Sequence, residues 1–479
     1  MTNPDRQSGN HQLPCSGRLF YSLYIHIPFC ARRCSYCDFN TYAGLEALIP
    51  AYDTALCGEI RLLGMAAEEL PAVEELPAAE ARMAARLPVH TVFLGGGTPS
   101  LLPLTELERI FCAVREAFDL LPGAEISLEA NPGTLDFASL RGLRELGVNR
   151  LSLGMQSAHA DELELLGRIH TYEQVVQAVD WARAAGFENL NLDAIFGLPE
   201  QTLERWEATL RRSLELGVEH LSLYALTLEE GTPLLGRVEA GEFPQPDADL
   251  AADMYDLATE LLESAGYQQY EISNWAKNSG SAQSKVENLS DVGNPPYACR
   301  HNLQYWRNQP YIGVGAGAHG YIRGLSSELL EGSGQDKEQV GAHGYLHSMR
   351  IANVLTPGEY IQRMAGWEAK RTPFPQTPAA ALALPAPVWV SPAVAQVTPL
   401  SVQDEIGETM MMGLRLTREG VSRAAFQARF GRELADVFGT QIERLIRLGL
   451  LEWAGAEGDT LRLTRRGRFI SNQVFVEFI

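Results

Sequence analysis

Between residues 21 and about 265, short apolar runs alternate with longer segments in which apolar residues recur at helical spacing. The short runs predict strands, and they lie at 22–27, 90–95, 125–130, 150–155, 190–197 and 220–227. The longer segments predict helices, and they lie at 104–118, 136–146, 172–185, 202–216 and 248–265. Such alternation is typical of an α/β fold with a parallel sheet. Six strand–helix units are compatible with an incomplete barrel or with an open sheet, and the pattern alone does not choose between them.

The regular alternation ends near residue 270. The polar, turn-rich segments 278–296 and 329–341 predict loops or insertions. The Ala- and Glu-rich segment 65–87 predicts an exposed helical insertion before the second strand. Residues 371–400 contain seven prolines, which predicts an extended linker rather than packed structure. The last eighty residues give helices, then a helix, a strand pair and a tail, which predicts a small winged-helix-like domain.

The chain has 479 residues, which excludes a single small domain. We divide it into a flexible N-terminus (1–20), the strand–helix region (21–270), an extension of that region (271–370), a Pro/Ala-rich linker (371–401) and the C-terminal winged-helix-like domain (402–479). The insertions at 65–87, 278–296 and 322–350 have no role that the sequence reveals.

Composition and charge narrow the class of protein. Hydrophobic residues make up 46% and charged residues 21%, as in a globular protein with a sizeable core. The net charge of -21 repels phosphate and argues against a nucleic-acid partner. The first twenty residues lack an apolar core, and the apolar stretch 379–400 is broken by four prolines, so we expect neither a signal peptide nor a spanning helix. We expect a cytoplasmic protein; peripheral contact with the inner face of the membrane stays open.

Three of the seven cysteines cluster in "CARRCSYC", as Cys30, Cys34 and Cys37. This pattern suits a metal site in a reducing compartment rather than a disulfide framework. The three thiolates could bind zinc, with His26 or a distant residue as the fourth ligand. They could also hold an iron–sulfur cluster, in which three thiolates leave one of four irons without a protein ligand. An open iron could take a substrate or cofactor, and the spacing alone leaves both alternatives open.

Polar residues or glycines follow consecutive predicted strands. Gly95–Gly97 come directly after the second strand, where backbone without Cβ atoms can approach a ligand closely. Glu129, Gln156 and Asp193 end the next three strands. Taken singly, each could be a loop hydrogen-bonding residue or a helix cap. Together they indicate a site, because the carboxyl ends of parallel strands meet at one edge.

The C-x3-C-x2-C spacing, with Tyr36 just before the third cysteine, resembles the radical S-adenosylmethionine (SAM) superfamily. The resemblance implies an incomplete (β/α)6 barrel and a [4Fe–4S] cluster held by Cys30, Cys34 and Cys37. It also implies SAM on the open iron, an electron donor for the cluster, and cleavage of SAM to a 5′-deoxyadenosyl radical. The positions that match SAM-contacting residues are Tyr24, Tyr36, Gly96, Gly97, Thr98, Glu129, Gln156, Arg168, Asp193 and Ala225. Carboxylates suit amine or ribose hydroxyl groups, and a guanidinium suits a carboxylate.

A narrower resemblance extends over nearly the whole chain. "YIHIPFC", "GGGTPSLL", "EANPGTL", "GLPEQT" and "CRHNLQYW" are similar to the group that contains the oxygen-independent coproporphyrinogen III oxidases (HemN) and the HemW heme chaperones. In the oxidases a fourth cysteine usually stands two places after the third. Phe39 occupies that place here, which is the pattern of the HemW branch.

"HNLQYW" at 301–306 resembles the HNxxYW signature that is linked to heme binding in the HemW branch. The resemblance implies heme bound by His301, Tyr305 and Trp306, since imidazole ligates iron and the two rings offer flat apolar area. Without it, His301 would be interpreted as a packed, hydrogen-bonded histidine.

The implied function is a heme chaperone that holds heme, the cluster and SAM and passes heme to respiratory proteins. The alternative is oxidative decarboxylation of coproporphyrinogen III. No catalytic residue is assigned in either case, and a homodimer stays open.

Overall fold

The computed structural model describes residues 20–68, 86–278, 293–323, 348–368, 391–455 and 458–479. The strands are β1 (Tyr21–Ile27), β2 (Phe29–Cys30), β3 (Tyr42–Ala43), β4 (Pro88–Gly96), β5 (Asp119–Ala130), β6 (Arg150–Gln156), β7 (Leu190–Phe196), β8 (His220–Ala225), β9 (Tyr267–Glu271), β10 (Asn274–Lys277), β11 (Tyr311–Val314), β12 (His319–Ile322), β13 (Ser348–Asn353), β14 (Val394–Leu400), β15 (Val421–Ser422), β16 (Leu451–Ala454) and β17 (Thr460–Leu463).

The helices are α1 (Ile49–Glu68), α2 (Leu104–Ala117), α3 (Phe137–Leu146), α4 (Ala160–Leu165), α5 (Tyr172–Ala184), α6 (Leu203–Glu215), α7 (Pro233–Glu239), α8 (Ala248–Ser264), α9 (Arg300–Trp306), α10 (Pro357–Glu368), α11 (Val402–Gly413), α12 (Arg423–Phe430), α13 (Leu434–Arg447), α14 (Arg465–Phe469) and α15 (Ser471–Phe475).

The six predicted strands are all present, and they form one parallel array in the order β1-β4-β5-β6-β7-β8. Within the described residues, β1 also pairs with β11 and β8 with β10, but β1 and β8 do not pair with each other. The array is therefore open on one side. The predicted α/β fold with an incomplete (β/α)6 barrel is confirmed.

Alternation along the strands separates an apolar face from a polar one. In β6, Leu151, Leu153 and Met155 belong to the apolar core beneath the helices. Ser152 faces the other way and hydrogen-bonds Asp193 of β7 at 2.9 Å. Because side chains in a strand point alternately to opposite faces, the interior of the partial barrel carries the polar set.

Local capping signals fix the helix ends. Thr171 and Gln174 form a capping box at the start of α5, in which each side chain bonds the backbone N–H of the other residue. The chain leaves the helix at Gly186, which has φ +90°. This confirms the helix predicted at 172–185.

The extension adds β11–β14 beyond β1, and β14 forms the edge of the sheet. Its pairing with β13 shows that the predicted linker over 371–401 is wrong for its last part, because Val394–Leu400 is a strand. Proline is tolerated in an edge strand, where a missing N–H costs no ladder bond toward the open side. The earlier part of the linker and the whole of the predicted segment 329–341 lie outside the described residues. Most residues of the predicted segments 65–87 and 278–296 also lie outside them.

Glu59 of α1 joins the barrel to the extension. This fully buried carboxylate accepts hydrogen bonds from Gly315 N at 2.8 Å, Asn353 Nδ2 at 2.9 Å and Tyr360 Oη at 2.8 Å. A fourth bond comes from Ser391 Oγ at 2.5 Å. Burial raises the pKa of Glu59, and the four donors oppose that rise.

The C-terminal unit has its own apolar core, built from α11, α13 and the three-stranded sheet β15-β17-β16. The predicted strand pair is present as β16 and β17, while Val421–Ser422 adds a short third strand and the predicted tail forms α14 and α15. Ion pairs join α11 to the large sheet and to α12: Arg350 with Glu408, and Arg429 with Glu405.

The large sheet contains strands from both sides of residue 270, so it does not mark the predicted boundary there. Apart from the corrected end of the linker, the division of the chain into five parts stays a prediction. In the part of the chain that the structure describes, no helix combines the length and apolarity that crossing a membrane requires.

Candidate functional site

Beyond β1, at the carboxyl edge of the parallel array, Cys30 ends the short strand β2, and Cys34 and Cys37 lie on the loop between β2 and β3. Ser35 anchors this loop: its N–H donates to Leu166 O at 3.0 Å and its hydroxyl to Leu165 O at 2.6 Å. From the other side, Thr98 N donates to Phe29 O at 2.8 Å. The loop is therefore held between the turn after β4 and the segment that follows α4.

Each cysteine sulfur has a polar neighbour. Thr98 Oγ1 lies 3.6 Å from Cys30 Sγ, and Arg168 Nη1 lies 3.4 Å from Cys34 Sγ. The third sulfur, of Cys37, lies 3.8 Å from a threonine hydroxyl. Burial raises the pKa of the Cys30 and Cys37 thiols, and the hydroxyl neighbours oppose that rise. Donors directed at sulfur stabilise thiolates, so this donor set fits an iron–sulfur cluster.

The zinc alternative fits less well. Among the described residues, no three His, Cys, Asp or Glu side chains converge as they would around one metal ion. A cluster makes a weaker demand, because each thiolate binds a different iron. His26, the suggested fourth zinc ligand, has both ring nitrogens engaged at 2.9 Å, one by Tyr24 Oη and the other by Asn40 O.

Two glycines of the turn after β4 leave no space for a side chain. Gly96 has φ +104°, and a Cβ there would lie 2.3 Å from the His26 ring. A Cβ at Gly97 would lie 2.6 Å from Phe29 O. Gly96 N donates to Glu129 Oε2 at 3.0 Å, which links the turn to the end of β5. The glycine residues thus bring bare backbone to the edge where the cysteines lie.

Two half-buried carboxylates face this edge. Asp193 accepts hydrogen bonds from Ser152 Oγ at 2.9 Å and Asn191 Nδ2 at 2.8 Å. Glu129 has few such donors, so burial, followed by the charge of Asp193, raises the pKa of Glu129 to about 7. A carboxylate with unused acceptor capacity in a shielded place suits an amine or hydroxyl ligand.

Gln156 and Arg168 complete the polar part of the site. Gln156 has φ +66°, at a register shift between β6 and β7. Such strain in a residue other than glycine is concentrated at functional sites. Arg168 Nη2 donates to Gly154 O at 2.7 Å, while its buried Nε has no hydrogen-bond partner within the described residues.

Two further predicted SAM-contacting residues lie around the same edge. Tyr36 packs beside Leu166 and Ile195. Ala225 is exposed at the end of β8, opposite Phe196. Apart from Tyr24, which lies in the middle of β1, the structure thus brings the predicted cluster and SAM residues to one edge of the sheet.

Three residues that hold Asp193 were not predicted from the sequence. Ser152, Asn191 and Ser222 stand on the polar face of their strands and share hydrogen bonds with one another or with Asp193. Their signal was present: each is a polar residue between two leucines within its strand, as alternation between two faces requires.

The helix α9 carries the three residues predicted for heme. His301 is 1% exposed, and its ring stacks on Phe93 at 5.1 Å. Thr91 Oγ1 lies 2.8 Å from its Nδ1 and Tyr305 Oη 2.9 Å from its Nε2. Burial, followed by the charge of His90, lowers the pKa of His301 to about 3. His301 is thus a neutral imidazole with both nitrogens engaged.

Both aromatic side chains predicted for heme already have neighbours. The Tyr305 ring meets His301 edge-on at 4.9 Å and Tyr311 at 4.5 Å. The Arg415 guanidinium lies 4.2 Å from the centre of the Trp306 ring. Heme binding by these three residues stays a prediction, and it requires their present contacts to open.

Comparison with known proteins shows two family matches. Residues 24–212 match the radical SAM superfamily, and residues 400–470 match the HemN C-terminal domain. The chain is 32% identical over 461 residues to the heme chaperone HemW of Bacillus subtilis, covering 96% of this chain and 99% of that protein. It is 38% identical over 309 residues to heme chaperone HemW of Escherichia coli, covering 64% of this chain and 72% of that protein.

A solved structure is similar over nearly the whole length. Coproporphyrinogen III oxidase (HemN) of Escherichia coli superposes with a TM-score of 0.67 at 21% identity, covering 96% of this chain and 90% of that one. At this identity the likeness shows the fold alone.

Proposed function

This chain belongs to the HemW family of the radical SAM superfamily, and we propose that it binds a [4Fe–4S] cluster, SAM and heme and delivers the heme to respiratory proteins. The observation that carries the proposal is the placement of three cysteines, a glycine turn and two carboxylates along one edge of the partial barrel. The family membership supports the same cofactors.

Cys30, Cys34 and Cys37 would hold the cluster. A cluster held by three cysteines would keep one iron without a protein ligand, where the amino and carboxylate groups of SAM could bind. Thr98 and Arg168 direct polar hydrogens at the sulfurs and keep two of the thiolates in place.

The other residues of the edge would hold the nucleoside and amino-acid parts of SAM. Glu129 and Asp193 accept hydrogen bonds from an amine or from ribose hydroxyls. Arg168 would offer to a carboxylate its Nε, which has no hydrogen-bond partner within the described residues. The bare backbone at Gly96 and Gly97 allows close approach, and Tyr24, Tyr36, Gln156 and Ala225 would complete the set of SAM contacts.

Phe39 agrees with the HemW assignment. A phenylalanine offers no thiolate at the position where the oxidases carry a further cysteine. Its side chain is 64% exposed. The alternative activity, decarboxylation of coproporphyrinogen III, has no observation of its own, because the likeness to HemN at 21% identity shows the fold alone.

Heme would be bound through α9. We propose that His301 ligates the iron after Tyr305 Oη leaves Nε2, and that Tyr305 and Trp306 then pack against the porphyrin. The 2.9 Å bond between His301 and Tyr305 is the contact that must open. An electron donor for the cluster, a cytoplasmic location with peripheral membrane contact, and a homodimer belong to the same proposal.

The test is a heme titration of the anaerobic, cluster-loaded protein followed by its Soret band. We expect the wild type to bind heme and His301→Ala to bind it at least about tenfold more weakly, since a coordinate bond to iron is lost. His159→Ala, at the start of α4, is the matched control and should bind like the wild type. Wild-type affinity in His301→Ala would remove His301 as ligand, and a wild type that binds no heme would remove the heme part of the proposal.

A further inference from the structure

A polar pocket of about 390 Å³ lies between the β9 edge of the sheet and the C-terminal unit. It is remote in sequence from the cysteine loop and α9, and the proposed function gives it no role. Its lining is polar and rich in arginine: Glu263, Tyr267, Gln268, Gln269, Asn278, Thr417, Arg418, Arg462 and Arg468.

Among the described residues, two of the three arginines in the pocket form no ion pair with a carboxylate. Arg462 pairs with Glu452 at 2.7 Å. Arg468 donates to the neutral Gln269 Oε1, at 2.7 Å, and its buried Nε has no partner within the described residues. Arg418 contacts the Gln268 amide, whose oxygen accepts from Arg418 Nε at 2.8 Å once the amide oxygen and nitrogen exchange places. Two guanidinium groups therefore share one pocket whose described lining contains a single carboxylate, that of Glu263.

The electrostatics agree with an incompletely compensated positive charge. Burial lowers the pKa of Arg468, and the nearby charge of Arg462 adds to this, whereas Tyr255 and Glu263 oppose it. Glu263, the one acidic residue of the described lining, is exposed at the rim. An added anion would relieve the repulsion and satisfy the free Nε, since guanidinium binds phosphate and carboxylate groups in a bidentate manner.

The distribution of charge along the chain favours the same conclusion. Residues 402–479 contain eleven arginines, no lysine and eleven Asp and Glu residues, so this part is neutral. The net charge of -21 lies entirely in residues 1–401. The arginine pocket thus belongs to the least acidic part of a strongly acidic chain, where an anion is least repelled.

An apolar cleft of about 410 Å³ adjoins the pocket and shares Arg468 with it. Its apolar lining includes Phe196, Leu223, Leu226 and Ile272, with Phe469 from α14. Phe469 is 37% exposed and meets the Tyr255 ring edge-on at 5.4 Å. The volume falls within the range of small-molecule sites, roughly 300–1,000 Å³.

We propose that the arginine pocket binds the phosphate or carboxylate group of a small molecule, and that the apolar, aromatic body of that molecule lies in the adjoining cleft. Arg468, which borders both cavities, is the residue that joins the two halves of the site. The proposal stands independently of heme binding by α9.

The test is isothermal titration of the full, cluster-loaded chain in low-salt chloride buffer with two probes, inorganic phosphate and phenyl phosphate. Both should bind, and phenyl phosphate should bind more tightly because its ring occupies the cleft. Arg468→Gln should weaken both by about tenfold or more, the usual worth of a hydrogen bond to a charged group. Arg466→Gln, on the same helix but outside both cavities, should bind like the wild type.

Ala252→Trp separates the two halves of the site, because it fills the cleft and leaves the arginines in place. This variant should lower the affinity for phenyl phosphate to that for inorganic phosphate and leave the affinity for inorganic phosphate unchanged. If Arg468→Gln fails to fold, Arg418→Gln takes its place in the test. Arg418 is exposed, so its replacement should not disturb folding. If phosphate does not bind, or if the arginine variant and its control bind it equally, the proposal that the arginine pocket binds an anion is wrong. If the two probes bind with equal affinity, the proposal that the cleft holds the apolar part of the ligand is wrong.

Discussion

Glu129 shows how the barrel interior sets the ionisation of a candidate ligand-binding group. The neighbouring carboxylate of Asp193 accepts hydrogen bonds from hydroxyl and amide groups, whereas Glu129 accepts one from the backbone N–H of Gly96. Burial and the charge of Asp193 therefore raise the pKa of Glu129 to about 7.

We predict that SAM affinity rises between pH 6 and pH 8. Glu129 must be ionised to accept hydrogen bonds through both oxygens from the amino or ribose hydroxyl groups of SAM, and with a pKa of about 7 it is mostly protonated at pH 6 and mostly ionised at pH 8. The dependence is at most about tenfold per pH unit for one proton. Titration calorimetry of wild type and Glu129→Gln checks this: the variant should lose most of the slope, and an equal slope in both would assign the titration to another group.

Tyr305 controls the availability of His301. Replacing Tyr305 by Phe keeps the ring and removes the hydroxyl that occupies Nε2. A neutral hydrogen bond contributes about 1 kcal/mol, so we predict that Tyr305→Phe binds heme several-fold more tightly than wild type. Soret titration of both proteins is the measurement. Weaker binding by the variant would mean that the hydroxyl contacts heme rather than competing with it.

Single residues were predictable from the sequence where a pattern marked them, and not where packing decided. The cysteines, the glycine turn and the strand-end residues Glu129, Gln156 and Asp193 stood out by spacing or position. The engagement of both His26 nitrogens and of both His301 nitrogens depends on neighbours distant in sequence. The same holds for Arg468, whose buried Nε has no hydrogen-bond partner within the described residues.

Strands and helices of the barrel were predictable because each carries a complete local signal. The apolar alternation of β6 and β7 and the capping box of α5 are contained within the elements themselves. The edge strand β14 was missed because its proline, Pro399, signals a linker, and its pairing with β13 comes from a distant segment.

Helix α1 and the extension are joined by one buried carboxylate. We predict that Glu59→Leu lowers the free energy of unfolding by about 3 kcal/mol, because four buried donors lose their acceptor. Urea unfolding followed by circular dichroism measures the change. Thr54→Leu, exposed on the same helix, is the control and should stay within about 1 kcal/mol of wild type. A loss for Glu59→Leu no larger than that of the control would contradict the role of this residue.

Across the whole chain, one large sheet carries the barrel and its extension, and the C-terminal unit is held against it. Its ion pairs with the sheet and with α8 are formed by Arg350 with Glu408 and by Arg465 with Asp256. The fold class followed from the repeated strand–helix alternation. The packing of the C-terminal unit beside β9 could not be predicted from the sequence, since no local pattern encodes contacts between distant segments. The arginine pocket, which lies between them, could not be predicted for the same reason.

The central claim is that the three cysteines hold a cluster with one open iron that takes SAM. Anaerobic reconstitution with iron and sulfide, followed by electron paramagnetic resonance of the reduced protein with and without SAM, tests it most directly. The account predicts about four irons and four sulfides per chain, a spectrum that SAM alters, and loss of both when Cys30, Cys34 and Cys37 are replaced by Ala. Uptake of zinc without iron, or a cluster spectrum that SAM leaves unchanged, would contradict it.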